Sequence, residues 1–173
     1  LLGMNKMKPS DLDELTGLLT ENAFMDQLQS ESARALRYAR PITVGLAQID
    51  GIGAIATRLG DSVADEAMQE VAGLVRAQLR DIDIAGCFDS KEIGYILPET
   101  DKASGQIAAE RPRARIENTM LSFTEHALNL SITIGYASLP TDAMNANGLL
   151  ACARGARTAA SSVGVNQILG FKA

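Results

Sequence analysis

The chain has 173 residues, 46% hydrophobic and 21% charged, enough for one compact domain with its own core and too few for two. That balance excludes a disordered tail, and no apolar run approaches the roughly 20 residues needed to cross a bilayer. A formal net charge of −5 excludes a sequence-independent binder of DNA or RNA, which would neutralise phosphates with clustered Lys and Arg, so any phosphate ligand must be held locally.

The opening stretch through Pro9 and Ser10 has no clear place in a core and reads as a linker, residues 1–10, from an upstream domain. From Asp11 the run Leu12, Leu15, Leu18, Leu19, then Phe24, Met25 and Leu28, has roughly helical spacing and predicts one or two amphipathic helices towards Tyr38. The short β-branched segment from Ile42 to Ile49 predicts a buried strand. A long helix follows, with Val63, Ala67, Val71, Leu74, Val75 and Leu79 on one stripe, ending near Asp81. Residues 84–88 and 93–98 predict a hairpin whose connection is Asp89, Ser90, Lys91 and Glu92. Residues 103–120 read as a helix in which Pro112 predicts a kink or break. The alternation over 128–134 predicts a half-buried strand, 149–162 an Ala-rich helix and 166–171 a last strand. Helices and strands alternating around one sheet with an antiparallel hairpin give an α/β sandwich.

Cys87 and Cys152 fit neither a disulfide framework nor a metal-ligand spacing, and both read as small buried hydrophobes. The N-terminus lacks the charged, apolar and small-residue succession of a signal peptide. A cytoplasmic domain without membrane contact is therefore expected. His126, the only histidine, has no Cys or second His nearby and reads as a hairpin surface residue.

The segment Asp13–Glu14–Leu15–Thr16–Gly17–Leu18, with Phe24 beyond it, resembles the opening signature of the GGDEF, or diguanylate cyclase, family. The likeness continues through Asp50, Gly60–Asp61 and Asp65, Ile96–Leu97–Pro98–Glu99–Thr100, Ser131–Ile132–Thr133–Ile134–Gly135 and Gly164–Val165–Asn166. It implies a central, mostly antiparallel sheet flanked by helices, related to the palm of nucleotidyl cyclases, over residues 11–173.

Condensing two GTP molecules requires divalent metal held by carboxylates, which neutralises triphosphate and activates the attacking hydroxyl. Against the family pattern, Gln48 stands at the first metal-binding Asp, and Lys91 at the metal-ligand position of the hairpin tip. Asp89 and Ser90 replace the two glycines that let the backbone approach nucleotide. Ala56 replaces the guanine-reading Asn, while Ser161 and Val165 replace a phosphate-binding Lys and Arg. Asp65 and Glu92 match the family, and Glu92 and Asp50 read as residual or structural carboxylates. The expectation is a degenerate domain that is not an enzyme and holds no Mg²⁺ or other cofactor.

By the same resemblance, Arg80–Asp81–Ile82–Asp83 matches the family's inhibitory-site motif, Arg-x-x-Asp, five residues before the tetrad, and Arg111 corresponds to its second arginine. A guanidinium can donate to guanine O6 and N7 while a carboxylate accepts from N1–H and the exocyclic amine. The implied function is a cyclic di-GMP receptor acting through Arg80, Asp83 and Arg111 on a protein partner or a second copy of the chain. Two alternatives stand beside it. One is a nucleotide-free dimerisation or docking scaffold; the other is a module that binds GTP as an allosteric input or cyclises it weakly with a partner, supported by Asp65 and Glu92.

Overall fold

The computed structural model describes residues 7–89, 91–123 and 125–173. Helix α1 spans Glu21–Arg37, strand β1 Ile42–Ile49, α2 Ile52–Leu59, α3 Asp61–Ala77, β2 Ile84–Cys87 and β3 Glu92–Pro98. Then come α4 over Lys102–Glu117, β4 Met120–Phe123, β5 His126–Asn129, β6 Ile132–Leu139, α5 Ala146–Val163 and β7 Ile168–Gly170. The main sheet has the order β2-β3-β1-β6-β7, antiparallel except for the parallel pair β6–β7, and β4–β5 form a separate two-stranded ribbon.

Both faces of this sheet are covered, which is why β1, β3 and β6 are apolar almost throughout rather than alternating. Ala47, Ile49, Ile93, Tyr95, Ile132 and Ile134 face one core cluster, shared with Ala67, Met68 and Val71 of α3 and Ala109 and Ile116 of α4. Val44, Leu46, Ile96, Ala137 and Leu139 face the other, shared with Phe24 and Leu28 of α1 and Leu149 and Ala153 of α5. The sandwich of helices about a mostly antiparallel sheet is the expected fold class. Three helices begin on side-chain caps: Thr20 accepts from the Ala23 N–H, Asp101 from Ser104 and Asn145 from Gly148, each satisfying a donor that the first turn leaves without a partner.

The structure corrects the element reading in five places. The segment before α1 is a turn rather than a helix: Asp13 accepts from the backbone N–H and hydroxyl of Thr16, Gly17 takes φ +72°, and Leu19 bridges to Leu12 and to Gly86 of β2. Side-chain capping and a left-handed glycine outweigh the leucine spacing here. A separate helix, α2, precedes α3, and Gly60 at φ +97° ends one and starts the other. Glu92 belongs to β3 and is buried, so the hairpin connection is shorter than the polar tetrad suggests. Helix α4 runs through Pro112 without a break; its ring is buried, and tertiary packing offsets the missing donor. The apolar alternation over 128–134 spans two strands of different sheets, β5 and β6.

Two close approaches fix the helices on the sheet. Phe24, fully buried, lies over Gly86 and Gly94, where an added Cβ would come within 2.8 and 3.0 Å of its ring, and it meets Phe88 edge-on at 5.1 Å. On β6, a Cβ at Gly135 would fall 2.0 Å from the backbone nitrogen of Arg157, so α5 rests directly on the strand there.

Candidate functional site

Arg80, Asp83 and Arg111 line one cleft of about 220 Å³ together with Leu97, Thr100 and Ile107. The turn after α3 supplies the first two residues, and the exposed face of α4 supplies Arg111. Asp83 has only 3% of its side chain exposed, and its carboxylate accepts from the Arg80 backbone N–H at 2.7 Å, from Nε at 3.2 Å and from Nη2 at 2.9 Å. Nη2 also points to the Pro98 carbonyl and the Thr100 hydroxyl, each at 3.0 Å. Thr100 is itself held, since its carbonyl accepts from the Thr43 hydroxyl at 2.9 Å and its hydroxyl donates to Pro98.

The physical result is a preset guanidinium. Its Nε and Nη2 edge is anchored to the protein, the side chain remains 49% exposed, and Nη1 enters no hydrogen bond among the described residues. The carboxylate is turned to Arg80 and orients its guanidinium. Arg111 is exposed and makes no ion pair among the described residues, so the cleft carries one uncompensated positive charge on a chain that is acidic overall. Such a cleft suits an anion with a hydrogen-bonding edge.

The second set of residues lies at the hairpin end of β3. Gln48 and Glu92 are register partners on β1 and β3, on the face covered by α5. Glu92 is buried, and Arg157 donates to it through Nε at 2.7 Å and to the Gln48 side-chain oxygen through Nη1 at 2.7 Å. Arg154, one turn earlier on α5, reaches the same carboxylate at 3.3 Å and lies 5.9 Å from the Phe88 ring centroid. Lys91 takes φ +63° at the tip, Asp89 is exposed, and Ser90 lies outside the described residues. Ala56 packs against the core from α2, whereas Ser161 and Val165 are exposed near the end of α5; no hydrogen bond among the described residues joins these three to Gln48 or Glu92. Asp65 is exposed on α3.

Among the described residues, two side chains, Gln48 and Glu92, bring oxygens together at this hairpin end. Of its two converging side chains one is a neutral amide, and both already accept from a guanidinium. No group of three or more His, Cys, Asp or Glu placed to hold a metal ion occurs among the described residues. Asp50 is occupied as well: it accepts from Ser131 Oγ at 2.6 Å, Thr133 Oγ1 at 2.7 Å and the Asn166 N–H at 2.7 Å, tying β1 to β6 and to the approach of β7.

Three participants escaped the sequence reading: Thr100, Arg154 and Arg157. The available signal for the arginines was their three-residue spacing in an otherwise small-residue helix, opposite a strand glycine. Of the remaining single residues, His126 is half-buried in β5 opposite Phe123, and both cysteines are half-buried. Burial, and secondarily the charge of Asp13, pushes the Cys87 thiol up to about 11. Among the described residues no helix is long and apolar enough to cross a membrane.

Comparison with known proteins gives consistent matches. The family described as "Diguanylate cyclase, GGDEF domain" matches residues 10–167. Diguanylate cyclase DgcP of Pseudomonas aeruginosa is 29% identical over 123 residues, 71% of this chain and 18% of its own length. Response regulator PleD of Caulobacter vibrioides is 28% identical over 160 residues, 91% of this chain and 35% of its own. The chain thus spans about a fifth to a third of the length of these curated relatives. Among solved structures, the GGDEF domain of DgcB from Caulobacter crescentus, in complex with c-di-GMP, superposes with a TM-score of 0.89 at 20% identity over 96% of each chain. Diguanylate cyclase SiaD from Pseudomonas aeruginosa, in complex with its activator SiaC, gives 0.87 at 20% identity over 93% of this chain and 62% of that one. At such identities these structures speak for the fold alone.

The matches overturn one expectation. The chain was expected not to be an enzyme, because of Gln48, Lys91 and the other substitutions, yet the matching family and DgcP are named for diguanylate cyclase activity, and those substitutions do not take the chain out of that family.

Proposed function

Because the chain belongs to the GGDEF, diguanylate cyclase, family, we propose that it binds cyclic di-GMP in the cleft of Arg80, Asp83 and Arg111 and conveys the bound state to a protein partner. One observation carries the reading: two guanidiniums share a cleft in which one is preset by a buried carboxylate and the other has no counter-ion among the described residues. Arg80 would present Nη1 to the guanine edge or a phosphate oxygen, Arg111 would meet the phosphodiester charge, and Asp83 would hold Arg80 in place. The DgcB domain, whose fold this chain shares, is described in complex with c-di-GMP, and SiaD with a protein activator, which supports both halves of the reading.

Calorimetric titration with cyclic di-GMP tests it, with Arg80→Ala and Arg111→Ala alongside. Wild type is expected to bind and each variant to lose at least about tenfold in affinity, equivalent to about 1.4 kcal/mol. Equal binding by all three removes the site, and no binding by wild type removes the function. At about 100 times its dissociation constant the ligand should also stabilise the fold by about 2.7 kcal/mol.

The family match favours a second reading, synthesis of cyclic di-GMP from GTP, as the name of its relative DgcP states. Incubation with GTP and Mg²⁺ or Mn²⁺, followed by chromatography of the products, tests it directly. The two readings are compatible, since they concern different parts of the molecule.

A further inference from the structure

The hairpin end of β3 holds an arrangement that the cleft does not use. Two side-chain oxygens, Glu92 Oε2 and Gln48 Oε1, converge on a single positive group, each 2.7 Å from a different nitrogen of Arg157. The guanidinium spans neighbouring strands at a matched register position and is only 14% exposed. What puts it there is backbone packing. Gly135 lets α5 lie directly on β6 beside residue 157, and a side chain at that glycine would lift the helix away.

We propose that Arg157 is a resident cation of this domain, occupying the oxygens of Gln48 and Glu92 so that Arg157 and a divalent metal ion exclude one another there. The physical ground is competition for the same lone pairs. Glu92 Oε2 cannot accept a short charge-assisted bond from Nε and coordinate Mg²⁺ or Mn²⁺ along the same direction, and a metal would also sit beside a guanidinium. Arg154 adds a second positive group at 3.3 Å from the same carboxylate. Metal entry at these oxygens therefore requires the Arg157 side chain to leave both acceptors, at the cost of stranding a guanidinium under α5. A planar fork reaching two strands at once is a task for Arg; the compact ammonium of Lys has no comparable fixed geometry.

The experiment is Mn²⁺ binding followed by electron paramagnetic resonance on the full chain, comparing wild type, Arg157→Met and the double variant Arg157→Met with Glu92→Gln. Expected is an affinity at least about tenfold higher in Arg157→Met than in wild type, with the gain lost in the double variant. Equal affinity of wild type and Arg157→Met, including no binding by either, overturns the proposal, as does a gain that survives Glu92→Gln. Should circular dichroism find Arg157→Met unfolded, the folded wild type still decides the matter. Its Arg157 Nε–H resonance is followed by nuclear magnetic resonance during a Mg²⁺ titration, with dissociation constants read from backbone amides of β1 and β3. Mutual exclusion predicts either no binding near Glu92 or binding that shifts and deprotects the Arg157 signal in step. Saturation of a site at Glu92 with that signal unchanged overturns it.

Discussion

Arg80 and Arg157 each make a short ion pair with a carboxylate that is almost wholly buried, and they differ in what they leave over. Arg80 gives one edge to Asp83, Pro98 and Thr100 and keeps Nη1 and half its side chain towards solvent. Arg157 gives separate nitrogens to Glu92 and Gln48 and lies beneath the surface. Both pairs have the same charge and similar distances, yet one guanidinium keeps a nitrogen without a partner among the described residues and half its side chain in solvent, while the other is enclosed by the fold. Burial of the cation, and not of its acid, is what separates the two.

Variants can break that contrast, and the largest effect should come at Arg157. Arg157→Met leaves Glu92 with a weaker partner in a buried setting, and breaking such a pair costs about 3 kcal/mol. Arg111→Met, at an exposed residue with no ion pair among the described residues, should change stability by less than about 0.5 kcal/mol. Urea denaturation of both checks this; similar losses would erase the distinction. Next is Gly135→Ala, which forces α5 off β6 and should cost about 1–3 kcal/mol. The same technique measures it, and an unchanged midpoint would mean that the helix does not need the close approach.

A smaller effect sharpens the other side of the comparison. Thr100→Val keeps the shape of the residue but removes an acceptor from Arg80 Nη2, while the carbonyl that receives the Thr43 hydroxyl is untouched. We expect cyclic di-GMP affinity to fall about fivefold, equivalent to about 1 kcal/mol, with Thr100→Ser restoring it. Titration calorimetry reads both.

The smallest effect concerns Cys87 on β2. Its folded-state pKa, about 11, lies above the usual thiol value because the thiolate is poorly solvated there. The fold thus favours the protonated form: this contribution to stability is complete below the ordinary thiol value near 9 and is lost as pH rises towards about 11. Denaturant midpoints at pH 7 and pH 10 should differ less in Cys87→Ala than in wild type, and alkylation of Cys87 at pH 8 should be slower in the folded chain than in the unfolded one.

Much of the architecture was legible one element at a time. The β-branched run of β1 and the hairpin of β2 and β3 are visible because buried strands of a sheet covered on both faces must be apolar throughout. The long stripe of α3 is visible because one face meets the core. The turn before α1 was misread because Leu12, Leu18 and Leu19 have helical spacing, whereas the choice was made by Asp13 bonding Thr16 and by Gly17 in the left-handed region. The alternative of a break at Pro112 failed for the opposite reason: the helix continues through the proline, whose ring is buried.

By itself the sequence determined which residues would carry charge, so Arg80, Asp83 and Arg111 could be named as one group through their positions in a family pattern. Only the tertiary structure decided how those charges are spent. Asp83 faces Arg80 because the turn after α3 folds its carboxylate inward, and Glu92 meets Arg157, 65 residues away, because a glycine on β6 lets a helix lie against the sheet. Partners that far apart leave no periodic trace in the chain, since what joins them is the packing of one layer on another and not the spacing of residues along either.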